Sequence, residues 1–427
     1  MLRKIVVFFL LLPLALGLSG CGLLNRGGAA RPAEPLTIAY SVADENRDGN
    51  QVIKRIVQSR AEADEQVRVT WRDAGGDARR QEQDVERFIE QEVDAVVIQF
   101  VEPQMGPGIV RRLAMNRIKV VALETLAPNA PLDAYIASEQ VRSGELQARY
   151  VAHNLPPGAP GRVLVLAGDP NDPVSRNIVQ GIVDFMDGQP GFTLDVREHP
   201  MADPRRAAAT VEEALAAARP GAVLAVDSRM AVSAAEVLRR AGVTDEILTV
   251  GVGAERTAAE SLVAGEHDAE VDVRPDLLAQ FSYDAALGLA RGGHWTYDTQ
   301  MESGDFTVPA RLIPVRLVQG NNAFLLEEYY EDLTRGGAQQ GEQSSDQQGG
   351  GEQGQQQGGG QEQQQQPTTK LKITTRDGKT MELDVPGEIQ SIEAQQQEGG
   401  GQAGGQQGGQ QGGQEGGGQD ANQTGGQ

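Results

Sequence analysis

From Leu36 to about Leu317 the chain switches repeatedly between two hydrophobic periods. Short β-branched runs, LTIAYSV, VRVTWRD, DAVVIQF, KVVAL, AYIAS, RVLVLAG, TLDVREH, AVLAVD, ILTVGVG and AEVDV, alternate with amphipathic stretches such as QVIKRIVQSRAEAD, DARRQEQDVERFIEQE, GPGIVRRLAMN, SRNIVQGIVDFM, DPRRAAATVEEALAAA, RMAVSAAEVLRRAG and AERTAAESLVAG. Many of the strand runs are apolar throughout, as a strand must be when helices cover both faces of its sheet. Such alternation predicts doubly wound parallel sheets in an α/β chain. About 280 residues is more than one small sheet can organise around a single core, so two lobes are expected.

The two ends of the chain read differently. Arg3 and Lys4 precede an apolar run, Ile5 to Leu18. That run is shorter than the ~20 residues a spanning helix needs, so it predicts an export signal over 1–20. Leu18-Ser19-Gly20-Cys21 resembles the lipobox of bacterial lipoproteins, which implies cleavage before Cys21 and a lipid on its thiol as the membrane contact. Cys21 is the single cysteine, so no disulfide within the chain and no cysteine-based zinc site is possible. Residues 21–35 suit a tether. After Gly336 the composition turns to Gln and Gly with scattered Glu, which predicts a disordered tail over 337–427. Within it, alternation in TTKLKITTRDGKTMELDVPGEIQ and the Asp377-Gly378 turn signal predict a β-hairpin within 368–390.

A formal net charge of −22 argues against nucleic acid as a partner. No motif supports catalysis. His153, His199, His267 and His294 do not pair at metal-ligand spacing, and neither a nucleophile elbow nor a phosphate loop is present. G251-V-G253-A-E255 follows a strand, but Arg256 stands where a dinucleotide fingerprint needs its third glycine. The stretch DENRDGN, residues 44–50, opens like a calcium loop with Asp44, Asn46, Asp48 and Gly49. The twelfth position, which must be a bidentate carboxylate, is Arg55. No enzyme, metal or cofactor is therefore expected. In parallel α/β sheets ligands sit where strand carboxyl ends lead into helices, and 44–50 is such a loop. Asn50 also suits a helix cap there.

Ordered segments carry a family resemblance. LTIAYSVADENRDGNQVIKRI, VDAVVIQFVEPQMGPGIVRRLAMNRIKVVALET, YIASEQVRSGELQARYV, RVLVLAGDPNDPVSRNIVQGIVDFM, AVLAVDSRMAVSAAEVLRRAG and ILTVGVGAERTAAESLVAGEHDAEVDVRPDLLAQFSYDAALGLARG each resemble a successive part of the type I periplasmic binding proteins, the group of the ribose- and xylose-binding proteins of ABC importers. The resemblance implies a domain over 36–320 whose two lobes close on a hinge around a ligand. Lobe 1 would take about 36–137 and 274–306, and lobe 2 about 138–273 and 307–320. Carried over position by position, it implies Glu124, Arg176 and Asp227 as ligand contacts, with Arg274 flanking the last crossing and Asp44 and Asn46 on the first loop. For Arg176 and Asp227 a helix cap or a surface charge is the alternative.

Departures from the family pattern concern the ligand. Gly253 and Ala254 replace the usual aspartate turn, Val273 replaces the usual glutamine, and DENRDGN holds no aromatic residue to lie against a sugar ring. Phe100 is the nearest candidate, with the core as its other reading. A polar, charged cleft is expected, with charged sugars, polyols, autoinducer-like furanosyl compounds and cationic small molecules as the candidate ligand classes. The implied role is a monomeric, lipid-anchored, extracytoplasmic receptor that delivers a small polar solute, sugar-like by family habit, to an ABC permease. The alternative is a non-transport sensor subunit or an envelope protein with a vestigial cleft. A repressor of the same core fold is disfavoured because an export signal occupies the place of its DNA-binding helices.

Overall fold

The computed structural model describes residues 35–47, 49–331 and 333, together with the backbone of 368–374 and 380–386. The expected signal segment, Cys21, nearly all of the tether, Asp48, and the Gln/Gly-rich tail apart from two strands lie outside the described residues.

All ten expected strands form. They are β1 (Leu36–Val42), β2 (Val67–Asp73), β3 (Ala95–Ile98), β4 (Lys119–Leu123), β5 (Ala134–Ser138), β6 (Arg162–Ala167), β7 (Thr193–Glu198), β8 (Ala222–Ala225), β9 (Leu248–Val252) and β10 (Ala269–Asp272). Three more follow: β11 (Thr299–Ser303), β12 (Phe306–Ile313) and β13 (Arg316–Gln319). Between them run α1 (Asn50–Glu62), α2 (Ala78–Glu90), α3 (Gly106–Met115), α4 (Gln140–Asn154), α5 (Pro173–Met186), α6 (Pro204–Ala217), α7 (Ser228–Ala241), α8 (Arg256–Val263) and α9 (Pro275–Ala290).

The strands build two sheets. The first has the order β11-β12-β5-β4-β3-β1-β2, the second β13-β10-β9-β8-β6-β7. All pairings are parallel except β11 with β12 and β10 with β13. Period-2 alternation fills both faces of the first sheet. Ile38, Tyr40, Val97, Val121 and Leu123 face α1 and α9, while Ala39, Val96, Ile98, Val120 and Ala122 face α2 and α3. With water excluded from both faces, most inner strand positions are apolar, which is why these runs show little polar alternation.

The chain crosses between the sheets three times: from β5 into α4, from β10 into α9, and from β12 into β13. The last crossing corrects the expected boundary at 306/307. β12 pairs with β5 through Ala310–Tyr135 to Ile313–Ser138, so lobe 1 runs on to Ile313. Lobe 2 receives only β13, antiparallel to β10.

Two close approaches fix helices. Gly49 has φ +69° and precedes α1; a Cβ there would lie 2.5 Å from Pro275 Cβ at the start of α9. Gly181 brings α5 against α4; a Cβ there would lie 1.9 Å from the Val141 carbonyl oxygen. The cap of α1 is Gly49, not Asn50, whose side chain instead points inward, donating to Asp44 O (2.8 Å) and Gln99 Oε1 (2.8 Å).

As a separate unit, β14 (Thr368–Thr374) and β15 (Thr380–Pro386) pair antiparallel, with Leu371 opposite Leu383 and Ile373 opposite Met381. The expected Asp377-Gly378 turn lies outside the described residues.

Gly49→Ala adds a side chain in the left-handed region and against a proline ring. We expect it to destabilise the domain by about 1–3 kcal/mol, read as a lowered denaturation midpoint at unchanged slope.

Candidate functional site

A cleft of about 510 Å³ opens between the lobes. Its lining comes from strand carboxyl ends of both sheets. Ala43, Asp44 and Arg47 follow β1, Gly75 and Gly76 follow β2, Gln99 to Gln104 follow β3, and Thr125 follows β4. From the second lobe come Gly168, Asp169, Asn171, Asp172, Val174 and Ser175 after β6, Met201 and Ala202 after β7, and Val226 and Asp227 after β8. Opposed strand ends are where doubly wound sheets bind ligands, since loops and helix N-termini converge there.

The first loop has a rigid base. Gln99 Oε1 accepts from Ala43 N (3.1 Å) and from Asn50 Nδ2, while Gln81 Nε2 donates to the Gln99 carbonyl (2.8 Å). Asp44 Oδ1 accepts from Asn46 N (2.9 Å), which leaves Oδ2 facing the opposite lobe. On that lobe Asp172 caps α5 through Val174 N and Asp227 caps α7 through Arg229 N. Each aspartate uses one oxygen for its helix and has the other for the cleft. Asp227 thus both caps α7 and lines the cleft.

Ion pairs cross the gap. Arg47 of lobe 1 places Nη2 3.3 Å from Asp172 Oδ2 and Nε 3.8 Å from Asp227 Oδ2. Arg229 of lobe 2 places Nη1 3.2 Å from Asp44 Oδ2 and holds Asp227 through Nε and Nη2, both at 3.1 Å. Burial by itself would lower the Arg229 pKa, but Asp227 outweighs it and the guanidinium is held above its usual value. These side chains are a fifth to a quarter exposed, except Asp227, which is buried. Partly exposed pairs of this kind contribute of the order of 1 kcal/mol each, less as salt rises.

Of the six residues carried over from the sequence, Asp44 and Asp227 line this cleft. Asn46 lines an adjoining hollow of about 260 Å³ with Arg47, Asn50 and Arg229. The other three stand elsewhere. Arg176 lies exposed on α5 with Nη1 donating to the Pro170 carbonyl (3.1 Å). Glu124, only 2% exposed and at φ +59°, turns its carboxylate to the first crossing. There it accepts from Ser138 N (3.2 Å), Ser138 Oγ (3.0 Å) and Gln140 Nε2 (3.0 Å). Arg274, at φ +60°, sits at the second crossing and forks onto Asp276 (3.1 and 2.9 Å). Glu124 and Arg274 thus hold the crossings rather than the cleft.

Sequence reasoning missed Arg47, Asp172 and Arg229. Arg47 stood inside the quoted loop, at the centre of a stretch whose lack of an aromatic residue was itself the signal. Phe100 lines the cavity but is 1% exposed and belongs to the core. It is the single aromatic residue in the lining, which otherwise mixes charged and polar side chains with small or flexible apolar ones.

Comparison with known proteins gives the same architecture. The pattern described as a periplasmic binding protein domain matches residues 38–294. The ribose import binding protein of Bacillus subtilis is 28% identical over 259 residues, covering 60% of this chain and 82% of that protein. The D-xylose-binding periplasmic protein of Escherichia coli is 25% identical over 311 residues, covering 71% of this chain and 92% of the relative. An ABC transporter solute-binding protein from Bacillus halodurans, solved with bound myo-inositol, shares the fold with a TM-score of 0.61 at 22% identity, covering 70% of this chain and 99% of its own.

Glu124→Ala leaves Ser138 N and Ser138 Oγ at the first crossing without the carboxylate that accepts from them, while Gln140 Nε2 keeps only the Glu124 carbonyl. We expect a loss of about 2–4 kcal/mol in stability by chemical denaturation.

Proposed function

The chain belongs to the periplasmic binding protein family, and on that premise we propose that it is an extracytoplasmic receptor that closes around a small polar, sugar-like solute and delivers it to an ABC permease. The observation that carries this reading is the cleft itself: opposed strand ends from two lobes, joined by three crossings, with a volume suited to a single-ring compound. The curated relatives are named for ribose and xylose, which supports the sugar-like class. Asp44, Arg47, Asp172, Asp227 and Arg229 are the residues we assign to the cleft, with Asn46 beside them. The carried-over Glu124 and Arg274 are assigned to hinge support. A lipid on Cys21 would keep the protein, acting as a monomer, at the membrane near its permease.

Binding and closure go together in this reading. A solute that contacts both lobes stabilises the closed form only by the difference in its affinity for the closed and open arrangements. The carboxylates and guanidiniums supply acceptors and donors in alternation around the gap, the pattern a polyol needs for its hydroxyls.

Thermal denaturation against a panel of sugars, polyols, polyamines and nucleosides tests the proposal. A true ligand at about 100 times its Kd should add about 2.7 kcal/mol and raise Tm. Asp227→Ala and Asp44→Ala should each weaken that ligand by tenfold or more, about 1.4 kcal/mol. Silence across the panel would favour a cleft that no longer takes a solute. Cys21→Ser should move the protein from the membrane fraction to the soluble fraction after cell lysis.

A further inference from the structure

The cleft has more acid than base. Asp44, Glu102, Asp169, Asp172 and Asp227 line it, and the one basic lining residue is Arg47. Arg229, from the adjoining hollow, adds a second guanidinium through its pairs with Asp44 and Asp227. Among the described residues, these five carboxylates against these two guanidiniums leave a net of three negative charges around a confined space.

What these carboxylates hold in the structure is cationic. Two guanidiniums reach in from opposite walls, with nitrogens 3.1 to 3.8 Å from carboxylate oxygens of Asp44, Asp172 and Asp227. The acids are not exhausted by them. Among the described residues, neither Asp169 nor Glu102 has a cationic partner. Asp169 Oδ1 accepts from Asn171 N (2.8 Å), and among the described residues no hydrogen bond or ion pair reaches its Oδ2. Asp169 stands three residues before Asp172 at the head of the loop into α5, so its spare oxygen lies on the same wall as the carboxylate that receives Arg47.

The apolar part of the lining is equally informative. Neutral pyranoses gain affinity where an aromatic face covers the apolar side of the ring. Here the one lining aromatic, Phe100, is core, and the remaining apolar contacts are small or flexible: Val101, Pro103, Val174, Val226 and Met201. A neutral solute would meet a field with no charge of its own to exploit it. A cation would be concentrated by that field, which low-dielectric walls focus into the gap.

We infer that the solute is positively charged: a polyhydroxylated single-ring compound bearing an amine, whose ammonium group lies against Asp169 and Asp172 while its hydroxyls meet Asp44, Arg47 and Asp227. This rests on the receptor reading above and narrows it from sugar-like solutes to their amine-bearing members. Arg47 then has a second role. It is the cation that the ammonium group competes with at Asp172, which sets a threshold against weakly charged or neutral compounds.

Calorimetric titration of the full chain with matched pairs separates charge from shape. Glucosamine is set against glucose and N-acetylglucosamine, and an amino-inositol against myo-inositol. The amine should bind at least about tenfold more tightly than its neutral twins. The margin should shrink as ionic strength is raised from about 0.01 M to about 1 M, where screening shortens from about 30 Å to about 3 Å. Asp169→Asn keeps the acceptor for Asn171 N and removes the charge. It should weaken the amine about tenfold at unchanged Tm of the unliganded protein, with amine binding losing part of its salt dependence. A neutral twin that binds as tightly as its amine, or more tightly, overturns the inference and leaves the receptor reading standing. No binding by any member of either series, together with silence across the wider panel, overturns both.

Discussion

The structure turns on how a small set of carboxylates is divided between local and distant duties. Asp44, Asp172 and Asp227 each spend one oxygen on a backbone N–H of their own loop or helix start, and each presents the other across the cleft. The local bond fixes the rotamer, so the outward oxygen is held in place rather than searching for a partner. Arg47 and Arg229 reach those oxygens from opposite walls. The lobes, already joined by the crossings, are thereby also held across their gap. None of the pairs is strong alone, because each keeps some contact with water. Their arrangement matters more than their sum, since any group that enters must replace the interactions it displaces.

The crossings use the same chemistry with water excluded. Glu124 receives the backbone and hydroxyl of Ser138 and the amide of Gln140. Asp272, fully buried, accepts from Arg274 N (2.8 Å) and Arg316 Nε (2.8 Å), which links the second crossing to the third. Burial pushes the Asp272 carboxyl up, while those donors pull it back towards the ionised form. Glu139 N donates to the Ile313 carbonyl (3.0 Å), which links the first crossing to the third. Three linkers so connected behave as one joint. Buried donors and acceptors fix that joint because breaking any one bond leaves a desolvated partner behind.

Most of the architecture was legible because both-face burial imposes an unmistakable pattern on a strand. The inner strands β1, β3, β4, β5, β6, β8 and β9 carry it, while the edge strands β2 and β7 are partly exposed and alternate in polarity. TQMES, FTVPARLI and RLVQ do not: they are mixed in polarity, and the middle one contains Pro309, which demotes a strand reading. Missing β12 moved the expected third crossing from 313/316 back to 306/307. The site was legible at the level of loops and less so at the level of side chains. Position after a strand end told correctly that Asp44 and Asp227 border the gap. It could not tell that Glu124 adopts φ +59° and turns away to Ser138, or that Arg176 falls on the outer side of its helix. Those depend on one backbone dihedral and one helical phase, which no residue type announces by itself. Arg47 was hidden for a related reason: its role exists only once Asp172 and Asp227 are brought opposite it, more than a hundred residues away in the chain.

The segment after β13 limits what closure can look like. Residues Gly320–Glu328 form a 3₁₀ turn whose Ala323 and Leu326, with Tyr329, Tyr330 and Leu333 beyond it, pack in one apolar cluster. That cluster contains Val52 of α1 from lobe 1 and Ala254, Ala259 and Leu262 from lobe 2. Arg55 of α1 donates to the Tyr329 carbonyl (2.8 Å), while the Tyr329 hydroxyl lies 2.8 Å from Asp276 and 3.1 Å from Asp272. Burial and those two carboxylates hold the phenol protonated, well above its usual range. The segment therefore grips the first lobe, the second lobe and the hinge at once. A simple swing about three free linkers would strip this cluster of its apolar contacts, at a cost that grows with the area exposed. Opening that keeps the cluster intact must pivot near it, so the gap should widen most at the Asp172 and Asp169 end and least beside α1 and α8. The cross-cleft pair from Arg47 to Asp172 would part first, and the pair from Arg229 to Asp44 last.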